Sequence, residues 1–415
     1  MTPRTERTEQ PERRLARRSV LGALGAGALA AGAALTTGAA PAKAGLPAAA
    51  PTATARTRRD APHPDLLPGG ALDAFVADLA ARDVFSGTVL VARDGRTALS
   101  RSYGTANRET GLRNGPRTVF GLASVTKCLT GLAIARLASR GLVGFHERLG
   151  TYTDRFPAAI ADTTLHQLLT HTSGIGRPPV GGGPPQTWNG VEETVENTLR
   201  IIGSTPPRFA PGTRFGYSND GYWLLGAVVA AVSGRSYYDY VREEIFTPAG
   251  MTASGFLTRP DVRSRTDVAR PYWSRPSGGE RVDFTTTPAF GFIGGPDSGA
   301  YSTAPDLLRL AEAVRAGTLL HPAYTELITT GKVPVPPRGA DTPAGEREYA
   351  GYGFHEFVTA GLRLYGHPGG GPGTATNIDI DDESGWTVIA LGNYDTGTAA
   401  VARRAREIVA GAASA

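Results

Sequence analysis

A serine and a lysine stand three positions apart at the start of an apolar segment that the pattern predicts to be helical. These residues are Ser124 and Lys127, and side chains at positions i and i+3 of a helix share one face. A serine hydroxyl is a weak nucleophile unless a neighbouring base takes its proton. Only three of the 43 basic residues are lysines, and a lysine can lose its proton where an arginine cannot. The spacing therefore predicts a serine nucleophile with a lysine base.

Two further motifs follow later in the chain. Tyr217 and Asn219 flank a serine just before a strongly apolar run, and His367 begins a His-Pro-Gly-Gly segment that contains Gly369 and Gly370. In the first of these motifs, Asn219 or the aspartate after it would also serve as a helix cap. In the second, glycine would let a strand edge approach a substrate backbone closely. Each motif alone fits an ordinary turn, so the prediction of a site depends on all three.

The order and separation of the three motifs resemble those of the penicillin-recognising serine hydrolases, which include class C β-lactamases, D,D-peptidases and family VIII esterases. The resemblance implies that Ser124 is the nucleophile and that Lys127 and Tyr217 form the proton shuttle. It also implies that Asn219 orients the acyl amide and that His367 supplies positive charge at the third motif. The chemistry that follows is acyl transfer through an acyl-enzyme.

The resemblance extends over about residues 72 to 410 and implies a substrate-binding surface around the third motif. The oxyanion hole would use the backbone N–H groups of Ser124 and Gly370, and Gly369 would lie at the substrate beside them. Members of the family often carry threonine in the middle of the third motif, where its hydroxyl helps to hold a substrate carboxylate. Pro368 has no hydroxyl, and this departure weakens the peptidase and β-lactamase interpretations.

Several activities stay open. We expect a serine acyl hydrolase that resembles a D-alanyl-D-alanine carboxypeptidase or that cleaves related amides and esters. A family VIII carboxylesterase or acyltransferase and a β-lactamase would use the same site, and a non-catalytic cell-wall binding protein is the alternative from another class. No cofactor or metal is expected, because His166 and His171 are five positions apart and a helical zinc pair needs four. His171 is predicted instead to lie at a helix C-terminus and to interact with its dipole.

The first 44 residues are typical of an export signal. Arg17 and Arg18 precede a run rich in alanine and glycine, and a small-x-small cleavage pattern ends at Ala44, which resembles a twin-arginine signal. Residues 45–68 have the composition of a flexible linker. Beyond residue 44 the chain holds 36 basic and 35 acidic residues, so nothing favours nucleic acid as a partner. We expect an exported monomer without a membrane anchor, in the extracellular or cell-wall space, that binds a small molecule or a peptidoglycan stem peptide.

Apolar periodicity predicts an α/β (α+β) domain over residues 69–415, with an antiparallel sheet flanked by helices as in β-lactamases and D,D-peptidases. Its predicted elements are, in order, a helix from Leu72, a hairpin of strands 86–92 and 97–103, a helix over 124–140, strands from Tyr352 and a final helix over 398–409. Strands split in this way enclose an all-helical subdomain of about residues 151–284. The glycine- and proline-rich segment 176–190 is a surface loop or a lid.

Overall fold

A computed structural model gives the structure of residues 63–176, 187–274, 278–337, 345–359 and 361–414. The predicted export signal, 1–44, lies outside the described residues, as do most of the predicted linker, 45–68, and most of the loop 176–190. Regular structure begins earlier than predicted. Pro64–Leu66 form a 3-10 turn, and Leu66 is fully buried because its side chain joins the apolar core. The last residues of the predicted linker are therefore part of the folded domain.

Eleven α-helices lie outside the main sheet in the described residues. Those in the described residues are α1 (Ala71–Ala81), α2 (Thr126–Ser139), α3 (Ala158–Ala161), α4 (Leu165–Leu169), α5 (Val191–Gly203), α6 (Asp220–Ser233), α7 (Tyr237–Val241), α8 (Arg259–Ser264), α9 (Ala304–Arg315), α10 (Pro322–Thr329) and α11 (Thr398–Ser414). A π-helical turn, Arg242–Phe246, continues α7. Within the same residues, no helix combines the length and the hydrophobicity that a membrane span requires.

The largest sheet has eight antiparallel strands and joins the two ends of the domain. Its strands are numbered in chain order, and from one edge of the sheet to the other they are β10 (Val333–Pro334), β11 (Arg347–Ala350), β12 (His355–Thr359), β13 (Leu362–Gly371), β14 (Thr374–Ile380), β15 (Trp386–Gly392), β1 (Gly87–Arg93) and β2 (Arg96–Tyr103). The N-terminal hairpin pairs with the last strand, from Gly87 opposite Gly392 to Arg93 opposite Trp386. The split sheet and the hairpin predicted from the sequence are therefore present.

In the part of the chain that the structure describes, three smaller sheets are formed by strands that follow β2 and precede β10 in the chain. They pair β3 (Thr105–Asn107) with β4 (Leu112–Arg113), both β5 (Phe120–Gly121) and β6 (Gly255–Phe256) with β9 (Ala300–Ser302), and β7 (Tyr272–Trp273) with β8 (Val282–Asp283). The segment predicted to be all-helical, 151–284, contains α3 to α8 but also β6, β7 and β8. These two-residue strands are too short to show the alternation on which strand prediction depends.

Both faces of the main sheet are covered, because successive side chains of a strand point to opposite sides. In β1, Val89 and Val91 belong to the apolar cluster that includes α1 and α11. Leu90 belongs to the cluster on the other face, which includes α2, α6 and α9. Complete burial of one such side chain contributes about 1.5–3 kcal/mol to folding. The second cluster fixes the start of α2 and α6 against the sheet, and these helix ends carry the first two motifs.

Candidate active site

Ser124 and Lys127 lie where α2 begins. Ser124 belongs to the 3-10 turn Ala123–Val125 that leads into α2, and Lys127 lies in the first turn of the helix. Lys127 Nζ is 3.2 Å from Ser124 Oγ, so the contact predicted from their spacing is present. Ala123 has a φ of +45°, a left-handed conformation that costs an alanine about 1–2 kcal/mol and persists only where surrounding contacts hold it. This turn sets Ser124 at the end of α2 where the helix dipole favours negative charge.

The side chain of Lys127 is completely buried and has three close partners. Besides Ser124 Oγ, its Nζ lies 2.9 Å from Asn219 Oδ1 and 2.8 Å from the backbone oxygen of Asp297. A neutral amine has two hydrogens to donate and one lone pair. The two acceptor oxygens match the two hydrogens, which leaves the lone pair for the Ser124 hydroxyl. The arrangement suits an amine that takes the proton of the serine.

Asp297 belongs to the site, although no sequence pattern pointed to it. It follows a Gly-Gly-Pro segment in the loop before β9. Its backbone oxygen contacts Lys127, and a main-chain contact cannot be predicted from side-chain types. Burial raises the pKa of the Asp297 carboxyl, while Lys127 and the hydroxyl of Ser298 partly oppose that rise.

Tyr217 and Asn219 lie immediately before α6. Asn219 occupies the N-cap position of α6, as predicted, but its side chain makes no capping hydrogen bond because it reaches Lys127 instead. Ser218, one residue earlier, accepts a hydrogen bond of 2.9 Å through its Oγ from a backbone N–H in the first turn. Tyr217 is 38% exposed, and its ring centroid lies 4.9 Å from Lys127 Nζ. The helix start thus directs both motif residues towards the buried amine.

The third motif lies on β13, next to the turn that carries the serine. A Cβ atom on Gly369 would lie 2.7 Å from the backbone oxygen of Leu122 and 3.1 Å from the backbone nitrogen of Ser124. Only glycine fits at that separation. Gly370 has open space beside it, with no atom within 4 Å of a Cβ. The structure therefore places Gly369 against the turn that carries Ser124, and Gly370 follows it on the same strand.

The side chain of His367 is buried, which overturns the predicted positive charge at the third motif. The residue is 2% exposed, and its Nδ1 donates a hydrogen bond to the backbone oxygen of Pro368. Desolvation, followed by the charges of His355 and Lys127, holds the pKa of His367 well below its ordinary value of 6.5. The imidazole is therefore neutral at pH 7.

His171 lies beneath the second motif. Its φ is +59°, and its Nδ1 accepts a hydrogen bond of 3.1 Å from the backbone N–H of Ser218. Its ring stacks on the ring of Tyr217 with centroids 4.3 Å apart. Burial, and then the charge of Lys127, holds the pKa of His171 well below 6.5. His171 directly follows the C-cap of α4, as predicted, but the predicted interaction of its charge with the helix dipole is wrong, because burial removes the charge and the neutral ring supports the second motif instead.

His355 on β12 is a further residue that sequence reasoning missed. Its Nδ1 lies 2.5 Å from Glu348 Oε1, and its ring centroid is 4.4 Å from that of His367. Strand pairing explains the proximity, because β12 and β13 place His355 opposite Gly366, the neighbour of His367. A contact across paired strands cannot be predicted from the sequence of either strand alone.

A serine held beside a buried amine, at a helix start and against a glycine-rich strand edge, defines the class of serine hydrolases that use a lysine base. The chain belongs to the Beta-lactamase family, whose model matches residues 72–413. Members of this family are serine hydrolases. The family and the α/β fold class predicted from the three motifs are thereby confirmed.

Individual relatives differ in their activities. The chain is 33% identical over 276 residues to esterase EstB of Burkholderia gladioli, which covers 59% of this chain and 69% of EstB. It is 30% identical over 233 residues to the D-alanyl-D-alanine-carboxypeptidase/endopeptidase AmpH of Escherichia coli, which covers 54% of this chain and 56% of AmpH. The solved penicillin binding protein of Bacillus halodurans matches with a TM-score of 0.68 and 29% identity, over 80% of this chain and 98% of that chain.

Proposed function

We propose that this protein is an exported serine hydrolase that forms an acyl-enzyme on Ser124 and transfers the acyl group to water. The observation that carries the proposal is the buried contact between Lys127 Nζ and Ser124 Oγ. Ser124 Oγ attacks the carbonyl carbon of the substrate as its proton moves to Lys127. The oxygen that becomes negative lies near the backbone N–H groups of Ser124 and Gly370, which stabilise it.

The remaining steps return the proton and regenerate the serine. Lys127 passes the proton through the Tyr217 hydroxyl to the leaving group as the bond to that group breaks. Asn219, which is hydrogen bonded to Lys127, orients the acyl chain. A water molecule then attacks the acyl-enzyme carbonyl, loses a proton to the same pair, and releases the acid while Ser124 regains its hydrogen. The scheme uses no cofactor.

The proposed substrates are uncharged carboxylic esters. A substrate carboxylate needs a positive charge or a hydroxyl donor, and the third motif offers neither on its side chains, because His367 is neutral and Pro368 has no hydroxyl. The similarity to EstB supports this substrate class. The similarity to AmpH supports the competing proposal, cleavage of D-alanyl-D-alanine peptides, and a comparison of substrates separates the two.

We further propose that the protein acts as a monomer outside the cytoplasmic membrane on a small ester. The stem peptides of peptidoglycan are the substrate under the competing peptidase proposal. The sequence of residues 1–44 supports export. The near balance of charge beyond residue 44 supports a partner other than nucleic acid.

The test compares three substrates on one enzyme preparation. Protein that begins at residue 45 is incubated with a short p-nitrophenyl ester, a D-alanyl-D-alanine peptide and a penicillin, with Ser124→Ala as the control. We expect steady turnover of the ester, with little turnover of the peptide and the penicillin, and no activity in the variant. A higher kcat/KM for the peptide than for the ester would replace the esterase proposal with the peptidase one. Full activity of Ser124→Ala would overturn the mechanism.

A further inference from the structure

Three buried histidines from separate elements lie in series beneath the second and third motifs. His171 follows α4, His355 lies on β12 and His367 lies on β13, and each is at most 2% exposed. The ring centroids of His171 and His355 are 6.3 Å apart, and those of His355 and His367 are 4.4 Å apart. We call these residues the three-histidine site.

The hydrogen bonds at Nδ1 show whether that nitrogen carries a hydrogen in each ring. His171 Nδ1 accepts from the N–H of Ser218, so its hydrogen is on Nε2. His367 Nδ1 lies against the carbonyl oxygen of Pro368, which only accepts, so this nitrogen carries the hydrogen and Nε2 has a lone pair. His355 Nδ1 likewise carries a hydrogen, which it donates to the carboxylate of Glu348. The site therefore presents a donor on His171 and an acceptor on His367, together with the Nε2 atom of His355.

Each of these Nε2 atoms is buried and has no hydrogen-bond partner in the described part of the chain. A buried polar atom without a partner costs about 1–3 kcal/mol, so three of them on neighbouring rings favour a common ligand. A water molecule can accept from His171, donate to His367 and make a third hydrogen bond with His355, and buried waters commonly make about three hydrogen bonds. A metal ion does not complement it, because the Nε2 of His171 carries a hydrogen.

We propose that the three-histidine site binds one buried water molecule through its three Nε2 atoms. The water accepts from His171, donates to His367 and makes its third hydrogen bond with His355. It joins the segment that supports Ser218 and Tyr217 to the strand that carries the third motif. The water site itself is independent of the reaction, but its effect on catalysis, which is to fix the Tyr217 ring through His171, rests on the proposed function.

The first test reads the tautomers and the water directly in the wild-type protein. Long-range 1H–15N NMR correlations at pH 7.5 should show a hydrogen on Nε2 of His171 and on Nδ1 of His355 and His367. A crystal structure at atomic resolution should show a water within about 2.7–3.2 Å of all three Nε2 atoms. A hydrogen on Nδ1 of His171, or a metal ion or no ordered atom within hydrogen-bond distance of the three Nε2 atoms, would overturn the proposal whatever the enzyme hydrolyses.

The second test measures the positioning effect with a matched pair of variants. The side-chain amide of asparagine can occupy the position of the histidine Nδ1, and the longer side chain of glutamine places its amide near the position of the histidine Nε2. His355→Asn should lower kcat for the ester between about 10-fold and 100-fold with little change in KM, and His355→Gln should restore most of that loss. His321→Asn, at the exposed cap of α10, is the control that should match wild type.

Equal kcat values for His355→Asn and wild type, both fully folded, would exclude the positioning role. Equal losses in His355→Asn and His355→Gln would exclude it too, since any disturbance of packing would then explain them. If His355→Asn does not fold, the NMR and crystallographic readouts on the wild-type protein still decide whether the water is bound. Absence of ester hydrolysis in wild type would refute the proposed function and leave those two readouts unaffected.

Discussion

Lys127 and His367 are both removed from water, but the partners that each meets differ. The Lys127 amine meets three oxygen atoms, and these can satisfy either its charged or its neutral form. His367 meets one backbone oxygen through Nδ1, and its Nε2 meets no partner in the described residues. A buried group keeps its charge only where its surroundings compensate for lost hydration. At the scale of the residue, the partners that a buried group meets, and not its residue type, decide whether its burial is compensated, and His367 lacks partners that could stabilise a charge.

The role of Lys127 as a base can be separated from its charge. Lys127→Arg should lower kcat for the ester at least about 10³-fold, close to the loss in Ser124→Ala, because guanidinium keeps its charge but cannot accept a proton. Lys332→Arg is a matched control, since Lys332 donates to a backbone oxygen away from the motifs. Acylation rates of folded variants check the prediction. A Lys127→Arg enzyme within tenfold of wild type would contradict proton transfer to Lys127.

Ser124 should be the single residue that a fluorophosphonate labels. Cys128, the only cysteine in the chain, is 1% exposed, and burial raises its thiol pKa far above the ordinary value. A thiol that stays protonated is a poor nucleophile. Peptide mass mapping should therefore find the label on Ser124 and none on Cys128 or Ser218, with Ser124→Ala unlabelled as the control. A label on either of the other two residues would show that the nucleophile is misassigned.

The neutrality of His367 predicts how selectivity depends on pH. Its pKa lies well below 6.5, so its charge does not change between pH 6 and pH 8. The ratio of kcat/KM for a D-alanyl peptide to kcat/KM for a neutral ester should therefore be flat across that range. Parallel pH profiles of the two substrates provide the measurement. A ratio that declines through about pH 6.5 and becomes flat in His367→Gln would mean that the imidazole is charged when substrate binds.

At the scale of the element, strong local sequence patterns predicted the first hairpin and the helix that follows the nucleophile. The remaining strands and contacts depend on pairing between distant segments. The β1–β2 hairpin and α2 agree with the prediction because an Asp-Gly turn and a long apolar helix are local signals. Strands were predicted to return only from Tyr352, yet β10 and β11 precede it and extend the sheet at its edge. His355 joins the site only because β12 pairs with β13. Such contacts depend on register, which neither segment specifies alone.

The close approach of β13 to the serine turn makes a prediction for Gly369. In Gly369→Ala the new Cβ would lie 2.1 Å from Thr376 Oγ1 and 2.7 Å from the backbone oxygen of Leu122. The strand must then move away from Ser124, which we expect to lower kcat about 100-fold and the free energy of unfolding by about 1–3 kcal/mol. Gly371→Ala is the matched control on the same strand, because no atom lies within 4 Å of its Cβ. Ester kinetics and urea unfolding of both variants test this prediction. Equal kcat values in Gly369→Ala and Gly371→Ala would show that catalysis does not require the close approach of β13 to Ser124.

At the scale of the whole molecule, the fold brings together motifs that are distant in the chain. Ser124, Tyr217 and His367 come from two helix starts and one strand, and the apolar cluster that includes α2 and α6 packs these helices against the sheet. The motif order predicted that they meet, through the family resemblance. The motif order could not predict that buried imidazoles would surround these residues, because the burial of a side chain depends on all the elements packed around it.

This burial should make the stability of the protein depend on pH. His171 and His367 have pKa values well below 6.5 in the folded state, so below that pH the unfolded chain binds more protons than the folded one. The free energy of unfolding should be highest above about pH 6.5 and should fall as pH decreases, by up to about 1.4 kcal/mol per pH unit for each histidine. His166, whose pKa is also lowered by burial, acts in the same direction, and the raised pKa of Asp297 acts in the opposite one. His367→Gln isolates one contribution from all of these. Denaturant unfolding between pH 7 and pH 5 should show a slope smaller by up to about 1.4 kcal/mol per pH unit in the variant than in wild type, and an unchanged slope would mean that His367 is protonated equally in both states.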